Sequence, residues 1–307
     1  MAGTRNTAVA VVLAALALTA TACNDNDDKS AAPAAPTTAA ATSAAPSSAA
    51  PATGAKPEKV SPAVYLEQVT QKTGAAKSAK VDELIQVGEV TMKGKGAVSW
   101  ADGLEADLTM DLSGSPMAKL LEPLTGGPNV HYLYTKDAMY MGLGGKLLES
   151  GGPKWVRYSK ADMAKASGGT TDQLQSADPV QGVRTLIASG KVTEVGPETV
   201  NGKATTHYSG VLSAADVAKA TSQGMTQEQA DRLKQNLDAA GVTSDRIDVW
   251  VDADKLVVKR TEQAETKAGA MNVTVSYSDY GTPVIAATPS ASEAIDLADL
   301  QKAAAGS

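Results

Sequence analysis

The chain has 307 residues, 43% of them hydrophobic, and its 34 acidic against 28 basic side chains give a formal net charge of −6. An acidic protein of this kind lacks a basic surface for phosphate backbones, so nucleic acid is excluded as an expected partner. A single cysteine cannot form an intramolecular disulfide, and with only 2 histidines we expect neither a metal site nor another cofactor.

The N-terminus has the pattern of an export signal. Arg5 precedes an apolar run over residues 8–20, which is short for the roughly 20 residues of a membrane-spanning helix. Small residues then lead into Cys23, as at a signal-peptide cleavage site. The stretch resembles a bacterial lipobox, whose cysteine receives a diacylglyceryl group, although Ala20 stands where leucine is usual. We predict a signal peptide over 1–22 and a lipid anchor on Cys23. The alternative is an ordinary secreted chain with an unpaired thiol.

Residues 23–57 are predicted to be a disordered tether. After a short acidic cluster they consist almost entirely of Ala, Pro, Ser and Thr, which offer little apolar surface to bury and block helices. The anchor and tether place the protein at the extracellular face of the cell membrane. Residues 58–307 are then expected to form one monomeric domain.

The domain is dominated by a period-two alternation of apolar and polar residues, which indicates strands with one buried face. The clearest segments are 104–112, 247–251 and 271–277. Weaker segments are 81–92, 95–101, 130–135, 138–143, 154–158, 190–196, 204–212 and 256–265. Turn signals separate them at Asp102-Gly103, Lys136-Asp137, Asn201-Gly202 and Asp254-Lys255. The pattern predicts about eleven strands in total.

Helices are predicted to be fewer. Asp178 as N-cap and Pro179 at the first position begin one helix. Thr226 and Gln229 form a capping box before another, which Gly241 ends. Two shorter helices are predicted at 62–73 and 213–222. The fold class is therefore α+β, mostly β: a curved antiparallel half-barrel with helices packed on its concave face.

Five stretches carry a family resemblance: KTGAAKSAKV (72–81), KWVRY (154–158), VGPETVNGKATTHYSG (195–210), DVWVDADKLVVKR (248–260) and SDYGTPV (278–284). In this order they resemble the LppX/LprG-like family of actinobacterial lipoproteins, whose fold is shared with the LolA carriers. The resemblance implies an antiparallel half-barrel around helices, with an apolar cavity that takes the acyl chains of a lipid or lipoglycan. It also implies a role in lipid transport across the envelope.

The composition is consistent with such a cavity. The chain has no Phe, 3 Trp and 8 Tyr, and each aromatic side chain would bury about 150–250 Å². Smaller side chains leave room for an alkyl chain; a smaller but solid core is the alternative. The predicted lining residues are Leu108, Met110, Leu112, Val183, Ile187, Leu233, Leu237, Val249 and Val273.

Polar residues give no catalytic constellation, so we do not expect an enzyme. His131 and His207 are predicted to be ordinary strand residues. Alternation places Asp248 and Asp252 on the solvent face of their strand. The predicted function is noncovalent binding of a lipid or other amphiphile. The alternative is a non-catalytic interaction or sensor lipoprotein with a filled core and no ligand.

Two glycine-rich stretches, 142–153 and 166–178, are either ordinary exposed loops or gates to the cavity. Trp155 either packs under a loop or lines the rim of the cavity.

Overall fold

The computed structural model describes residues 60–166, 178–221 and 227–305. Cys23, the predicted signal peptide and the predicted tether lie outside these ranges. So do Thr226 of the predicted capping box and residues 167–177 of the second predicted gate. In the part of the chain that is described, no helix is both long and apolar enough to cross a membrane.

A single sheet of twelve strands forms the body of the domain. The strands are β1 (Ser78–Val87), β2 (Val90–Ser99), β3 (Glu105–Gly114), β4 (Asn129–Tyr134), β5 (Ala138–Gly142), β6 (Trp155–Ser159), β7 (Thr193–Val200), β8 (Lys203–Ser213), β9 (Ser244–Asp252), β10 (Val257–Thr266), β11 (Gly269–Ser278) and β12 (Ala294–Asp296). Their spatial order is β12-β6-β5-β4-β3-β2-β1-β11-β10-β9-β8-β7. Only the β12–β6 pair is parallel among these strands. The sheet is therefore open and largely antiparallel, as predicted.

The described residues also contain eight helices. They are α1 (Pro62–Ala75), α2 (Met117–Thr125), α3 (Gly145–Glu149), α4 (Lys160–Ala166), α5 (Pro179–Ser189), α6 (Ala214–Thr221), α7 (Gln227–Ala240) and α8 (Leu297–Ala305). The predicted α5 is confirmed, because the backbone N–H of Val180 donates to the Asp178 carboxylate at 3.0 Å. The sequence did not predict α2, α3, α4 or α8, all of which have nine residues or fewer; α2 also contains Pro123.

The predicted strand over 81–92 is wrong, because the chain turns in its middle. β1 ends at Val87 and β2 begins at Val90. Gly88 between them has φ +57°, a left-handed conformation that glycine adopts without steric cost. The apolar alternation continues on both sides of this turn, so the pattern alone could not reveal it.

The predicted strand over 190–196 is displaced toward the C-terminus, since β7 runs from Thr193 to Val200. It contains Pro197, which lacks the N–H that a central strand would donate. β7 tolerates this proline because it lies at the edge of the sheet.

The helices pack on one face of the sheet, called here the helix face. The first core cluster includes Leu66 and Val69 of α1, Val183 and Leu186 of α5, and Val249 of β9. The second core cluster gathers side chains of β3 to β6 under α2 and α8. The opposite side is called the outer face. The two clusters divide the helix face into two separately covered regions.

Candidate functional site

Cross-strand register identifies which side chains share the helix face, since directly opposed residues point the same way. One continuous row crosses seven strands from β8 to β3. It runs Tyr208, Val249, Arg260, Val275, Glu83, Gly94 and Met110. A buried arginine and a glutamate therefore interrupt an otherwise apolar row.

The region under α1 and α5 is filled by the chain's own side chains. Leu66, Val69, Val183 and Leu186 are each 0% exposed, as is Val249 beneath them. Interiors of this kind are close-packed. In this region the helices and the sheet form a solid core.

Between the two core clusters lies a strip of half-buried apolar side chains, called here the open strip: Ile85, Met92, Met110, Met271 and Val273. Ile85 on β1 is opposed by Met92 on one side and by Val273 on the other. Val273 packs against the first cluster, whereas Met92 and Met110 pack against the second. Methionine adapts its shape to irregular apolar partners. The open strip is thus a contiguous, partly uncovered apolar surface across β11, β1, β2 and β3.

Beside the open strip lies a polar cluster, called here the Arg260 group, in which Arg260 and Tyr277 are buried and four carboxyl residues are half-buried: Glu83, Asp178, Asp245 and Glu262. Arg260 is 1% exposed, and its Nη1 donates to the Glu262 carboxylate at 2.6 Å. It lies under α5, where a Cβ on Gly182 would come within 2.5 Å of the arginine Cδ. Glycine at this helix position therefore makes space for the guanidinium between helix and sheet.

The carboxyl groups around Arg260 are held in surroundings that disfavour their charge. Burial raises the pKa of Glu83, with Glu262 adding to the effect and Arg260 opposing it. Burial also raises the pKa of Asp178. For Asp245, burial and the neighbouring Glu262 raise the pKa to about 7. Four carboxyl groups thus share the guanidinium of Arg260 and, at Asp178, the exposed Arg184, whose Nη1 lies 3.9 Å from Asp178 Oδ2.

The hydroxyl oxygen of Tyr277 and Oδ1 of Asp245 are buried without a hydrogen-bond partner among the described residues. Tyr277 is only 2% exposed. Such atoms are uncommon, because most buried polar groups are hydrogen-bonded.

The nine predicted lining residues occupy different places on the helix side of the domain. Leu108, Val183 and Val249 lie inside the first core cluster, and Leu112 lies inside the second. Met110 and Val273 belong to the open strip, and Ile187 packs at the margin of the first cluster. Leu233 and Leu237 are half-buried on α7. Whether any of them contacts a ligand stays a prediction.

The outer face holds a second polar network, centred on His207 of β8. Its Nδ1 lies 2.8 Å from a Glu198 carboxylate oxygen, and its Nε2 lies 2.8 Å from Asp248. Trp250 stacks on the imidazole at 4.4 Å and donates its indole N–H to Glu198 at 2.7 Å. The Lys259 ammonium lies 4.4 Å from the Trp250 ring centroid. His207 is therefore a hydrogen-bonded sheet residue, as predicted.

The prediction that Asp248 and Asp252 are solvated is wrong. Asp248 lies on the outer face but is only 4% exposed, and Asp252 is 8% exposed. Burial disfavours the charge of Asp248, but hydrogen bonds from Arg246, Ser209 and His207 outweigh it and lower the pKa. Neighbouring polar side chains cover this part of the sheet in place of water.

The other histidine pairs with Asp107, whose carboxylate lies 2.7 Å from the His131 Nε2. Its ring also contacts Trp155 on the outer face, with centroids 5.1 Å apart. Trp155 thus packs within the sheet surface and lines no rim on the helix face. The described residues hold no group of three or more His, Cys, Asp or Glu side chains arranged to bind a metal ion.

Two pockets formed by described residues lie away from the open strip. One of about 750 Å³ is on the outer face, between charged residues such as Lys80, Asp82 and Lys95 and the segment 283–285. The other, of about 430 Å³, lies beside Arg157 and β12 at the sheet edge. Charged side chains contribute to the lining of both.

Sequence reasoning missed the Arg260 group. Its members are far apart in sequence, and Arg260 and Glu262 lie in VVKRTEQAET, which reads as a polar strand. The one available signal was that Arg260 and Glu262, two residues apart, must share a face of their strand.

No family model matches the chain. It is 42% identical over 250 residues to the uncharacterized 31.2 kDa protein of the rplA-rplJ intergenic region of Streptomyces griseus, covering 80% of this chain and 82% of that protein. It is 32% identical over 241 residues to a Streptomyces coelicolor protein named "putative lipoprotein", covering 76% of this chain and 75% of that protein.

Two solved structures are similar in fold. The Mycobacterium tuberculosis lipoprotein LppX gives a TM-score of 0.43 at 15% identity, covering 73% of this chain and 98% of LppX. LprF from Mycobacterium bovis gives 0.44 at 18% identity, covering 73% and 97%. This similarity concerns the fold alone.

Proposed function

This chain belongs to the family of those two Streptomyces proteins, and from the geometry of its helix face we propose that it is a lipid-anchored protein that binds an amphiphile noncovalently. The observation that carries the proposal is the open strip, an apolar surface left partly uncovered between two well-packed clusters. Soluble domains seldom leave contiguous apolar surface exposed unless it binds something. The proposed site is this strip, and it needs no catalytic group.

The binding energy would come from burial of the alkyl chain. Each CH₂ removed from water contributes about 0.8 kcal/mol, so ten methylenes along the strip supply roughly 8 kcal/mol before ordering costs. The three methionines of the strip can adjust to chains of different shape. The proposal therefore favours alkyl chains as a class over one exact ligand.

The proposed cellular location of the protein rests on the lipobox-like sequence at its N-terminus. Cys23, acylated after export, would hold the domain at the outer side of the cell membrane, with residues 24–57 as the tether. A relative named as a lipoprotein supports the anchor. Movement of lipid across the envelope is the role that this arrangement would serve.

The test uses the chain from residue 24 onward, expressed without its anchor and extracted with organic solvent for mass spectrometry. We expect co-purifying lipid in a fixed ratio, and saturable binding of an uncharged pyrene-alkane probe. Neither lipid nor probe binding would contradict the proposal.

Two adjacent residues of β1 provide matched variants. Ile85 lies in the open strip, whereas the half-buried Leu84 points to the outer face between Lys93 and Thr274. Ile85→Asn should weaken probe binding about 15-fold, the equivalent of losing contact with two methylenes. Leu84→Asn should leave binding unchanged. Equal effects of the two substitutions would place the site elsewhere.

A second candidate function is a non-catalytic interaction lipoprotein without a ligand. It is favoured by the filled region under α1 and α5, where Leu66, Val183 and Val249 are fully buried. This candidate predicts that the extract contains no stoichiometric lipid and that the probe shows no saturable binding.

A further inference from the structure

A polar cluster such as the Arg260 group contributes little to the stability of a core. It gathers the carboxyl groups of Glu83, Asp178, Asp245 and Glu262 around the guanidinium of Arg260, with the exposed Arg184 at 3.9 Å from Asp178 as a second cation. Replacing buried ionic groups by apolar side chains is often neutral or stabilising. A structural role alone therefore does not account for this concentration of acid on the helix face.

An independent observation comes from Tyr277. Its hydroxyl is buried on the same face, close enough to Arg260, Asp178 and Glu83 to interact electrostatically with all three. It has no hydrogen-bond partner among the described residues, and neither has Oδ1 of Asp245. A hydroxyl can both donate and accept a hydrogen bond. Tyr277 therefore presents a buried hydroxyl, near Glu83 and Arg260, that the described residues do not pair.

The Arg260 group and the open strip meet at Glu83 and Glu262. Glu83 is opposed by Gly94, and its Oε2 lies 3.4 Å from where a Gly94 Cβ would be, next to the Met110 sulfur. Glu262 is opposed by Val273. Both glutamates are half-buried. An alkyl chain lying along the strip would therefore end beside these carboxyl groups.

Resting on the lipid-binding function proposed above, we propose that the Arg260 group receives the polar end of the bound amphiphile and selects an uncharged, hydroxyl-bearing end over an anionic one. A glycerol or sugar hydroxyl would donate to Glu83 and accept from Tyr277. A phosphate would meet excess carboxylate in surroundings that screen charge poorly. The selectivity arises from repulsion as much as from attraction.

The experiment compares two ligands that share one acyl chain: 1-palmitoylglycerol and 1-palmitoylglycerol 3-phosphate. Each displaces the pyrene-alkane probe from the chain beginning at residue 24, below its critical micelle concentration. We expect the uncharged ligand to bind at least about tenfold more tightly at neutral pH. Equal binding, or tighter binding of the phosphate, would overturn the inference.

Variants then locate the selectivity. Asp245→Asn removes one acid and should strengthen binding of the phosphate ligand about threefold or more. Tyr277→Phe should weaken binding of 1-palmitoylglycerol about fivefold without lowering the melting temperature, because the hydroxyl has no partner among the described residues. Asp82→Asn, an exposed acid on the outer face of β1, is the charge-matched control and should change neither affinity.

The outcomes separate the two proposals. If the pyrene-alkane itself does not bind, the lipid-binding function fails and this inference falls with it. If the probe binds but the two ligands compete equally, only the selectivity of the Arg260 group is refuted. If the ligands differ but Asp82→Asn changes their ratio as much as Asp245→Asn does, the selectivity comes from net charge and the assignment is again refuted.

Discussion

The position of Arg260 under α5 predicts that a substitution normally favourable in helices will here destabilise the domain. An alanine Cβ at position 182 would lie 2.5 Å from Arg260 Cδ and 3.3 Å from its Nη1. Arg260 is 1% exposed and is paired with Glu262, so it cannot move aside into solvent. Overpacking of this kind costs about 1–3 kcal/mol, whereas replacing a helical glycine with alanine gains up to about 1 kcal/mol. We expect Gly182→Ala to lower the free energy of unfolding by roughly 1–2 kcal/mol.

Gly74 of α1 provides the matched control. It is also helical, and a Cβ added there would meet no atom within 4 Å. Gly74→Ala should therefore raise the free energy of unfolding by about 0.5–1 kcal/mol. The two substitutions are chemically identical and differ only in what lies opposite the added methyl group.

Urea unfolding followed by far-UV circular dichroism measures both variants against the parent chain from residue 24. If the dependence of the unfolding free energy on urea concentration is the same for all three proteins, their unfolding free energies can be compared directly. If Gly182→Ala proved as stabilising as Gly74→Ala, the guanidinium would not occupy the space under α5, and the Arg260 group as described here would not exist.

Three further predictions concern other parts of the chain. Asp248→Asn should cost about 1–3 kcal/mol of unfolding free energy because it disrupts buried hydrogen bonds, whereas Asp254→Asn in the exposed turn should stay within about 0.5 kcal/mol; urea titrations measure both. The Asp245 pKa of about 7 exceeds the ordinary value, so folding holds a proton that the unfolded chain releases, and this group's contribution to stability is lost as pH rises from about 4 to about 7. The unfolding free energy of Asp245→Asn should therefore rise relative to that of the parent by roughly 2 kcal/mol between pH 5 and pH 8. If the difference between the two unfolding free energies stayed constant across that range, it would contradict the raised pKa. Cys23→Ala should move the protein from the membrane fraction to the medium, and its retention on membranes would refute the anchor.

Much of the sheet was predictable because period-two alternation reports directly on which strand face is buried. The segment around Leu108 and Met110 and the segment around Val273 were placed correctly for this reason. The turn at Gly88 was not, since one glycine between two apolar runs has the same pattern as a continuous strand. Period-two alternation indicates which face of a strand is buried, but it does not indicate where the chain turns back.

Burial on the outer face was not predictable from alternation either. The pattern assigned Asp248 correctly to the face opposite Val249, but it could not show what covers that face. Glu198 comes from β7 and Arg246 from β9, and together with His207 they shield Asp248 from water. Such shielding depends on partners brought together by tertiary structure, which a single strand's sequence does not contain.

The Arg260 group was hidden by an irregularity in the ladder itself. The β9–β10 register shifts between Val257 and Lys259, and bulges of this type change which face the following residues occupy. Beyond the shift, Arg260 and Glu262 lie on the helix face. If the alternation of VVKRTE is continued through position 258 without a bulge, Arg260 falls on the face opposite Val257. The sequence pattern alone therefore gives no reason to place an arginine among core side chains.

Two departures from ordinary packing lie side by side on this helix face. Charged groups are buried around Arg260, and apolar groups of the open strip are left partly uncovered beside them. Each lowers stability, and stable domains tolerate such conflicts chiefly where function requires them. A ligand with an alkyl chain and an uncharged polar end would resolve both at once, by covering the strip and by pairing with Tyr277 and Glu83. An interaction surface without a ligand would explain the exposed apolar side chains but would leave the buried acids unexplained.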